Sequence, residues 1–419
     1  MNRRALSFAI VIAAALAAAA RGADFGFTSG DQQSFSLIGS LHLHNAGAAP
    51  ALNIEVEMLL PRNHIGQKIF GIDLLPEPLR VEDDRWMQKA ARWKIDRLEP
   101  GAHCFILWIA RAASSDISFD LERLRKGDFP VPLPIRSLYL RGETEGLRVG
   151  TGHLDRVLGL AGYVRKSLPQ EQGPQPFPQA IAGPAGTGDL ARAMTELCHA
   201  NTIPCRTVGA YAKAASGDFC VDLEGRSWNE IYFPQSGWAP LDVSGAWPPG
   251  RKPNDVVIVQ TVGHGGEPPA PGREFWGAVT GAGPGVRVTR RAYFSRTRDF
   301  QQESELIALF HSLRNAEGEG QLAALLALQA ASGNSIVLGL VEPYLYHADM
   351  NIVRSVASVI GALRQGQAAM LLVDAMGRTP EADALLAAQL ELLTGQAFGA
   401  DRASWRSWVR RHLAAAPAD

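Results

Sequence analysis

The chain has 419 residues, 46% of them hydrophobic and 20% charged, the balance of a globular protein long enough for two or three domains. Forty-one basic and 42 acidic side chains leave a formal charge of −1, which removes the electrostatic case for nucleic acid or an anionic membrane as partner. Gly and Pro are frequent, at 42 and 26, but scattered, so low complexity is excluded too.

Arg3 and Arg4 precede an apolar run from Ala5 to Ala20, closed by Arg21-Gly22-Ala23. A basic start, a short apolar stretch and small residues predict a secretory signal peptide over residues 1–23, cut after Ala20 or Ala23. The run is short of the roughly 20 apolar residues of a membrane span. The mature chain is therefore expected to be exported, periplasmic or secreted, with no span of its own. Export permits disulfides. Cys104, Cys198, Cys205 and Cys220 allow three full pairings. Cys205 with Cys220, on two successive strands, is the first candidate, and Cys198 with Cys205 is the second. No CxxC occurs and the spacings do not suggest zinc, so neither metal nor cofactor is expected.

Residues 24–122 predict an Ig-like β-sandwich, from short strands with regular turn signals. "SFSLIGSLHLHNAG" alternates toward a turn at Asn45-Ala46-Gly47. "ALNIEVEMLLP" places Ile54, Val56 and Met58 on one face and Glu55 and Glu57 on the other. "RWKIDRLEPGAHCFILWIARA" holds two strands around a Glu-Pro-Gly turn, and "DISFDLE" follows. His42 and His44 share a strand face; no third ligand stands nearby in sequence, so that face is expected to be solvated.

A Pro-rich link leads to an α+β region over 140–295. "HLDRVLGLAGYVRKSL" carries a helical stripe of Leu154, Val157, Leu158, Ala161 and Val164. A second helix opens at Thr187-Gly188-Asp189, buries Leu190, Met194, Leu197 and Cys198, and ends at Ile203-Pro204. "CRTVGAYA", "DFCVDL" and "SWNEIYFPQSGWAPLDV" then predict strands of one antiparallel sheet. From 302 to 419, short apolar-periodic helices succeed each other, an arrangement expected of a small α-solenoid.

Four segments of the central region stand in a specific order: Thr187-Gly188-Asp189-Leu190-Ala191, Ile203-Pro204-Cys205-Arg206, Arg226-Ser227-Trp228-Asn229-Glu230, and Gly237-Trp238-Ala239-Pro240-Leu241-Asp242. This run resembles the transglutaminase-like superfamily, a papain-like group. In that family a Cys-x-Asp-x-Ala segment opens the central helix and Ile-Pro-x-Arg follows. His-x-Trp-x-Glu then supplies the base and Gly-Trp-x-x-x-Asp the orienting acid. The tail "LTGQAFGADRASWRSWVRRH" resembles the closing segment of HEAT-type repeat proteins. The resemblance implies three parts: a β-sandwich, an α+β transglutaminase-like domain and HEAT-like helices.

It also implies a degenerate triad. Asp242 alone matches; Thr187 holds the nucleophile position and Arg226 the base position. A cysteine at a helix N-terminus gains thiolate character from the dipole. A threonine hydroxyl needs an adjacent base, and a guanidinium has no acceptor atom and stays protonated. No histidine lies between His199 and His264. Cys198, eleven residues beyond Thr187, lies about 16 Å along the helix and on its apolar stripe. Thr187 or Asp189 suits a helix N-cap, Trp228 and Trp238 suit sheet packing, and Asp242 is placed to pair with Arg226. Alternatively Arg226 and the helix N-terminus hold an anion or a peptide carboxylate. Thr187, Asp189, Arg226 and Trp228 are thus the candidate binding residues. The expected function is non-catalytic binding of a protein or peptide in the cell envelope. The competing one is a peptidase, amidase or acyltransferase with an atypical nucleophile.

Overall fold

A computed structural model describes residues 27–83, 88–126, 152–167, 187–201, 203–212, 219–221, 224–233, 236–245, 248–252, 256–262, 277–296, 300–330, 336–362 and 366–413. The side chains of 126, 187–189, 212, 219–221, 224–226, 256–262, 296, 300–303, 366–367 and 413 are outside this description. The expected signal peptide lies outside the described residues.

The sandwich is built from β1 (Phe27–Asn45), β2 (Ala51–Leu59), β3 (Gln67–Leu75), β4 (Arg80–Asp83), β5 (Lys89–Leu98) and β6 (His103–Phe119). The first turn forms where Asn45 Oδ1 accepts from Gly47 N at 3.0 Å. Ile54, Val56 and Met58 are buried as the alternation requires. The two strands around Glu-Pro-Gly are β5 and β6, and β6 runs on through "DISF" as one strand.

Two further strands, β13 (Gly277–Thr280) and β14 (Val286–Arg296), complete the sandwich from within the 140–295 span. β14 pairs antiparallel with β1, from Phe35↔Arg296 to Asn45↔Val286, and β13 pairs with β2. The larger sheet reads β11-β6-β1-β14-β8 with β3 also on β6, where β8 is Phe219–Val221 and β11 is Arg251–Lys252. The smaller reads β13-β2-β5-β4. The central region is thus inserted between strands of the sandwich. The reason is apolar pairing: "AYF" in β14 places Ala292 and Phe294 in the core shared with Phe35, Leu37 and Leu41.

β1 is buried on both faces. Phe35, Leu37, Leu41 and Leu43 face the smaller sheet, with Ile54, Val56 and Trp93 among their neighbours. Ile38 joins a different core, formed with the C-terminal helices. Those helices are α4 (Phe300–Asn315), α5 (Glu319–Ala330), α6 (Ile336–Val341), a 3-10 turn (Glu342–Tyr346), α7 (Met350–Ala362), α8 (Gly366–Ala375), α9 (Pro380–Thr394) and α10 (Arg402–Leu413). Helix α6 is apolar on every side and buried throughout, as such a helix must be. Gly339 lets it approach the sheet: a Cβ there would lie 2.8 Å from Tyr293 Cδ2 and 2.9 Å from Ile38 Cδ1. Helix α9 has a complete cap pair: Thr379 Oγ1 accepts from Ala382 N at 3.2 Å, Pro380 opens the helix, and Gly395 closes it at φ 70°. Among the described residues no helix is long and apolar enough to cross a membrane.

This helical layer corrects the expectation of a solvated face at His42 and His44. His42 is 8% exposed and stacks on Phe105 at 4.1 Å, with Tyr346 of the 3-10 turn at 4.7 Å. His103 supplies a third imidazole, with its Nδ1 2.8 Å from His42 Nε2 and its ring 4.3 Å from that of His44. The His44 and His103 planes are 8° apart, so the rings pile up rather than converge, and no metal-binding group of three is formed among the described residues. Burial, then neighbouring histidines and arginines, hold His42 down at about 2 and His103 at about 4.

The central region contains α1 (Leu121–Lys126), α2 (His153–Ser167) and α3 (Thr187–Ala200). Its sheet holds β7 (Cys205–Ala212), β9 (Glu224–Phe233), β10 (Gly237–Leu241) and β12 (Val256–Val262), in the order β10-β9-β7-β12. Helices α2 and α3 bury Leu154, Val157, Leu160, Leu190, Met194 and Leu197 against it. The strand "FCV", expected in this sheet, is β8 and pairs instead with β14, with Cys220 opposite Phe294. Cys205 therefore has β9 and not Cys220 beside it, and the first candidate disulfide is not formed.

Candidate functional site

The motif segments converge on α3 and the central sheet. Helix α3 begins at Thr187, so Thr187 and Asp189 occupy its first turn. An acidic residue there suits the helix dipole. Strand β9 carries the next element: Arg226 pairs with Ala210, Trp228 with Val208 and Glu230 with Arg206. β10 pairs with β9 so that Leu241 lies opposite Asn229, and Asp242 follows directly after the strand. Trp228 is fully buried and Asp242 is 5% exposed. The side chains of Thr187, Asp189 and Arg226 are outside the description, so the expected Asp242–Arg226 pair and the N-cap are as well.

Asp242 is engaged locally. Its Oδ1 accepts from Ser244 N at 2.9 Å and from Ser244 Oγ at 2.6 Å, fixing the turn after β10. The other end of the motif forms a buried ionic centre. Arg206 Nε donates to Glu230 Oε2 at 2.7 Å, and the guanidinium lies 4.4 Å over the Trp238 ring. His64, from the loop before β3, reaches the same carboxylate, with Nε2 3.3 Å from Glu230 Oε1 and 3.2 Å from Arg206 Nη2. Burial, the largest single influence, pushes the Glu230 carboxyl up; His64 and Arg206 together more than reverse it and bring it to about 2. His64 had no signal in sequence, because it lies 142 positions from Arg206 and in another region. It contacts the sheet at Glu230, not at Asp242.

A third group lies between α3 and the sheet. Asn229 is fully buried, and its Nδ2 donates to Ala191 O at 2.8 Å and Thr195 Oγ1 at 2.9 Å, with Cys205 Sγ at 3.5 Å. Thr195 Oγ1 and Thr207 Oγ1 are 2.8 Å apart. His199 Nε2 bonds Cys205 O at 2.8 Å, which makes this histidine part of the scaffold. Cys104, Cys198 and Cys205 are free thiols. Burial raises the thiol pKa of Cys104, and raises that of Cys198 with help from its neighbour Cys205. Neither has the thiolate character of a nucleophile.

The motif segments thus lie on one helix and three adjacent antiparallel strands. Residues 146–243 match the family model of the transglutaminase-like superfamily. No curated protein matches the chain. Among solved structures, a provisionally assigned cysteine protease from Cytophaga hutchinsonii aligns at 14% identity and a TM-score of 0.46, over 65% of this chain and 93% of that one. A provisionally assigned protease from Parabacteroides distasonis ATCC 8503 aligns at 12% identity and a TM-score of 0.21, over 55% of this chain and 48% of that one.

Proposed function

We propose that this is an exported transglutaminase-like protein of the cell envelope whose central domain binds a protein or peptide without cleaving it. The observation that carries the reading is the exchange at the catalytic positions: Thr187 and Arg226 stand where the family has its nucleophile and base, within a motif whose other parts are folded and packed. Two features support it. Asp242, the remaining triad position, uses Oδ1 to hold Ser244. The buried thiol of Cys198 and the half-buried thiol of Cys104 are raised away from the thiolate form. Thr187, Asp189, Arg226 and Trp228 are the proposed binding residues. The helical layer adds the kind of surface that repeat proteins use for partners.

The test is turnover of peptide, amide and ester substrates by the unmodified protein. The expected result is no turnover above that of the Thr187→Ala variant. Robust turnover that disappears in Thr187→Ala would replace this reading with that of an active hydrolase or acyltransferase.

A further inference from the structure

Cys198 lies in the last turn of α3, and Cys205 is the first residue of β7. The chain between them turns sharply: Asn201 N and Ile203 N both donate to Cys198 O, at 3.1 and 2.8 Å. His199 Nε2 ties the helix end to Cys205 O at 2.8 Å. These bonds hold the helix end against the strand, and the Cys205 thiol lies 3.6 Å from Thr195 Oγ1, which is one helical turn before Cys198 on α3. Both are buried in the core between helix and sheet. Cys104, by contrast, sits in the sandwich opposite Leu43.

We infer that Cys198 and Cys205 form an intramolecular disulfide when the protein folds in the presence of a disulfide oxidant. The bridge would join α3 to β7 beside the transglutaminase-like motif. In the folded state Cys205 Sγ lies 3.5 Å from Asn229 Nδ2 and 3.6 Å from Thr195 Oγ1, one turn before Cys198 on α3. Before α3 docks either thiol can open the exchange, and the order of attack does not change its balance. With Cys205 first, its thiolate attacks one sulfur of the oxidant's disulfide, forms a mixed disulfide and releases one thiolate. The Cys198 thiolate then attacks Cys205 Sγ and releases the second. Two thiol protons are lost and two electrons pass to the oxidant, which ends as two thiols. Because both sulfurs are shielded in the folded state, exchange occurs before α3 docks on the sheet.

The experiment is refolding of the full chain in a mixture of oxidised and reduced glutathione. Remaining thiols are then alkylated under denaturing conditions and the non-reduced peptides mapped by mass spectrometry. The expected result is a linked peptide joining residues 198 and 205, about 2 Da lighter than its reduced form for the two hydrogens lost, with Cys104 alkylated. A reductant should lower the melting temperature of this oxidised protein by about 3 °C. It should leave the Cys198→Ala/Cys205→Ala double variant unchanged. Alkylation of both Cys198 and Cys205 after oxidative refolding, or linkage of either to Cys104 or Cys220, overturns the inference. The linkage is mapped on the natural sequence, so it does not depend on how well the double variant folds.

Discussion

The six-stranded sheet of the sandwich and the four-stranded central sheet are buried in different ways. The β11-β6-β1-β14-β8 sheet is clamped between the smaller sheet and the C-terminal helices, and along β1 every residue from Phe35 to Leu43 is buried. Its contacts are mostly apolar, with polar pairs at the helical interface: Arg291 bonds Glu342 and Asp374, and Tyr293 bonds Glu342. The central sheet carries α3 on one side and holds its charges at one end, in Arg206, Glu230 and His64. The contrast separates two parts of an enzyme motif. Arg206, Glu230 and Trp238 hold the sheet together whether or not chemistry occurs. Thr187, Arg226 and Asp242 are the positions that the proposed function turns on. On that reading the fold keeps a catalytic frame for its packing without the reactive groups.

The largest expected effect tests the ionic end of the central sheet. Glu230→Gln leaves Arg206 buried without its carboxylate and should cost about 3–5 kcal/mol of unfolding free energy. The paired change Arg206→Met with Glu230→Leu should cost much less than the two single changes combined, because no charge is stranded. Urea titration of the natural chain, Glu230→Gln, the two single changes and the double variant measures this. A Glu230→Gln loss below about 1 kcal/mol would show that the sheet does not depend on the pair.

The corresponding test of the clamped sheet is steric. Gly39 lies opposite Trp108, and a Cβ there would fall 2.2 Å from Trp108 Cε2. Trp108 is 1% exposed and packs on Tyr211 at 6.1 Å between centroids, so it has no room to withdraw. Gly39→Ala should cost about 1–3 kcal/mol by overpacking, seen as a lower denaturation midpoint. A neutral substitution would mean that the clamp yields.

Acid should part the two regions in a fixed order. His42 and His103 are held below the ordinary histidine value of 6.5, so the folded state binds fewer protons than the unfolded one. Their contribution is complete above pH 6.5 and is lost as pH falls toward 4. His42 alone contributes up to about 1.4 kcal/mol per pH unit across that window. Glu230 is also depressed, from 4.5 to about 2, so its contribution is lost only as pH falls below 4.5. Hydrogen exchange corrected for intrinsic rates, followed from pH 7 to 4, should show 336–346 loosening before 205–212. His42→Phe should flatten the first phase. Simultaneous loosening of both segments would contradict the separation.

Much of this arrangement is legible in the sequence. Alternation locates Ile54, Val56 and Met58, and helical spacing locates Leu190, Met194 and Leu197, because local periodicity reports which face is buried. The motif order places β7, β9 and β10 side by side. The illegible features are non-local. Nothing in "SFSLIGSLHLHNAG" indicates that a helical layer covers His42, or that β14, some 250 positions later, pairs with β1. The diversion of β8 to another sheet and the arrival of His64 beside Glu230 are likewise decided by tertiary contacts. Arg226, which the resemblance aligns with the base position, is legible by type alone, since residue type settles what an atom can accept.

The smallest effects concern the first turn of α3. If Thr187 only supports the helix start, Thr187→Ala should change stability by about 1 kcal/mol at most. Thr187→Cys probes the same position chemically. A thiol in the first turn gains thiolate character from the helix dipole, whereas Cys198, buried three turns away, does not. Iodoacetamide should therefore label residue 187 of the folded variant well before Cys198 or Cys205. Reactivity of this kind is not turnover. Acyl transfer also requires a group that takes a proton from the nucleophile and returns it to the leaving group, and an arginine at 226 cannot do so. Thr187→Cys alone should thus be alkylated but hydrolyse amides no faster than the natural chain. Thr187→Cys with Arg226→His should gain measurable turnover, provided substrate still enters. Equal turnover by the single and double variants would mean that some other residue supplies the base, and would overturn the part that the proposed function gives to Arg226.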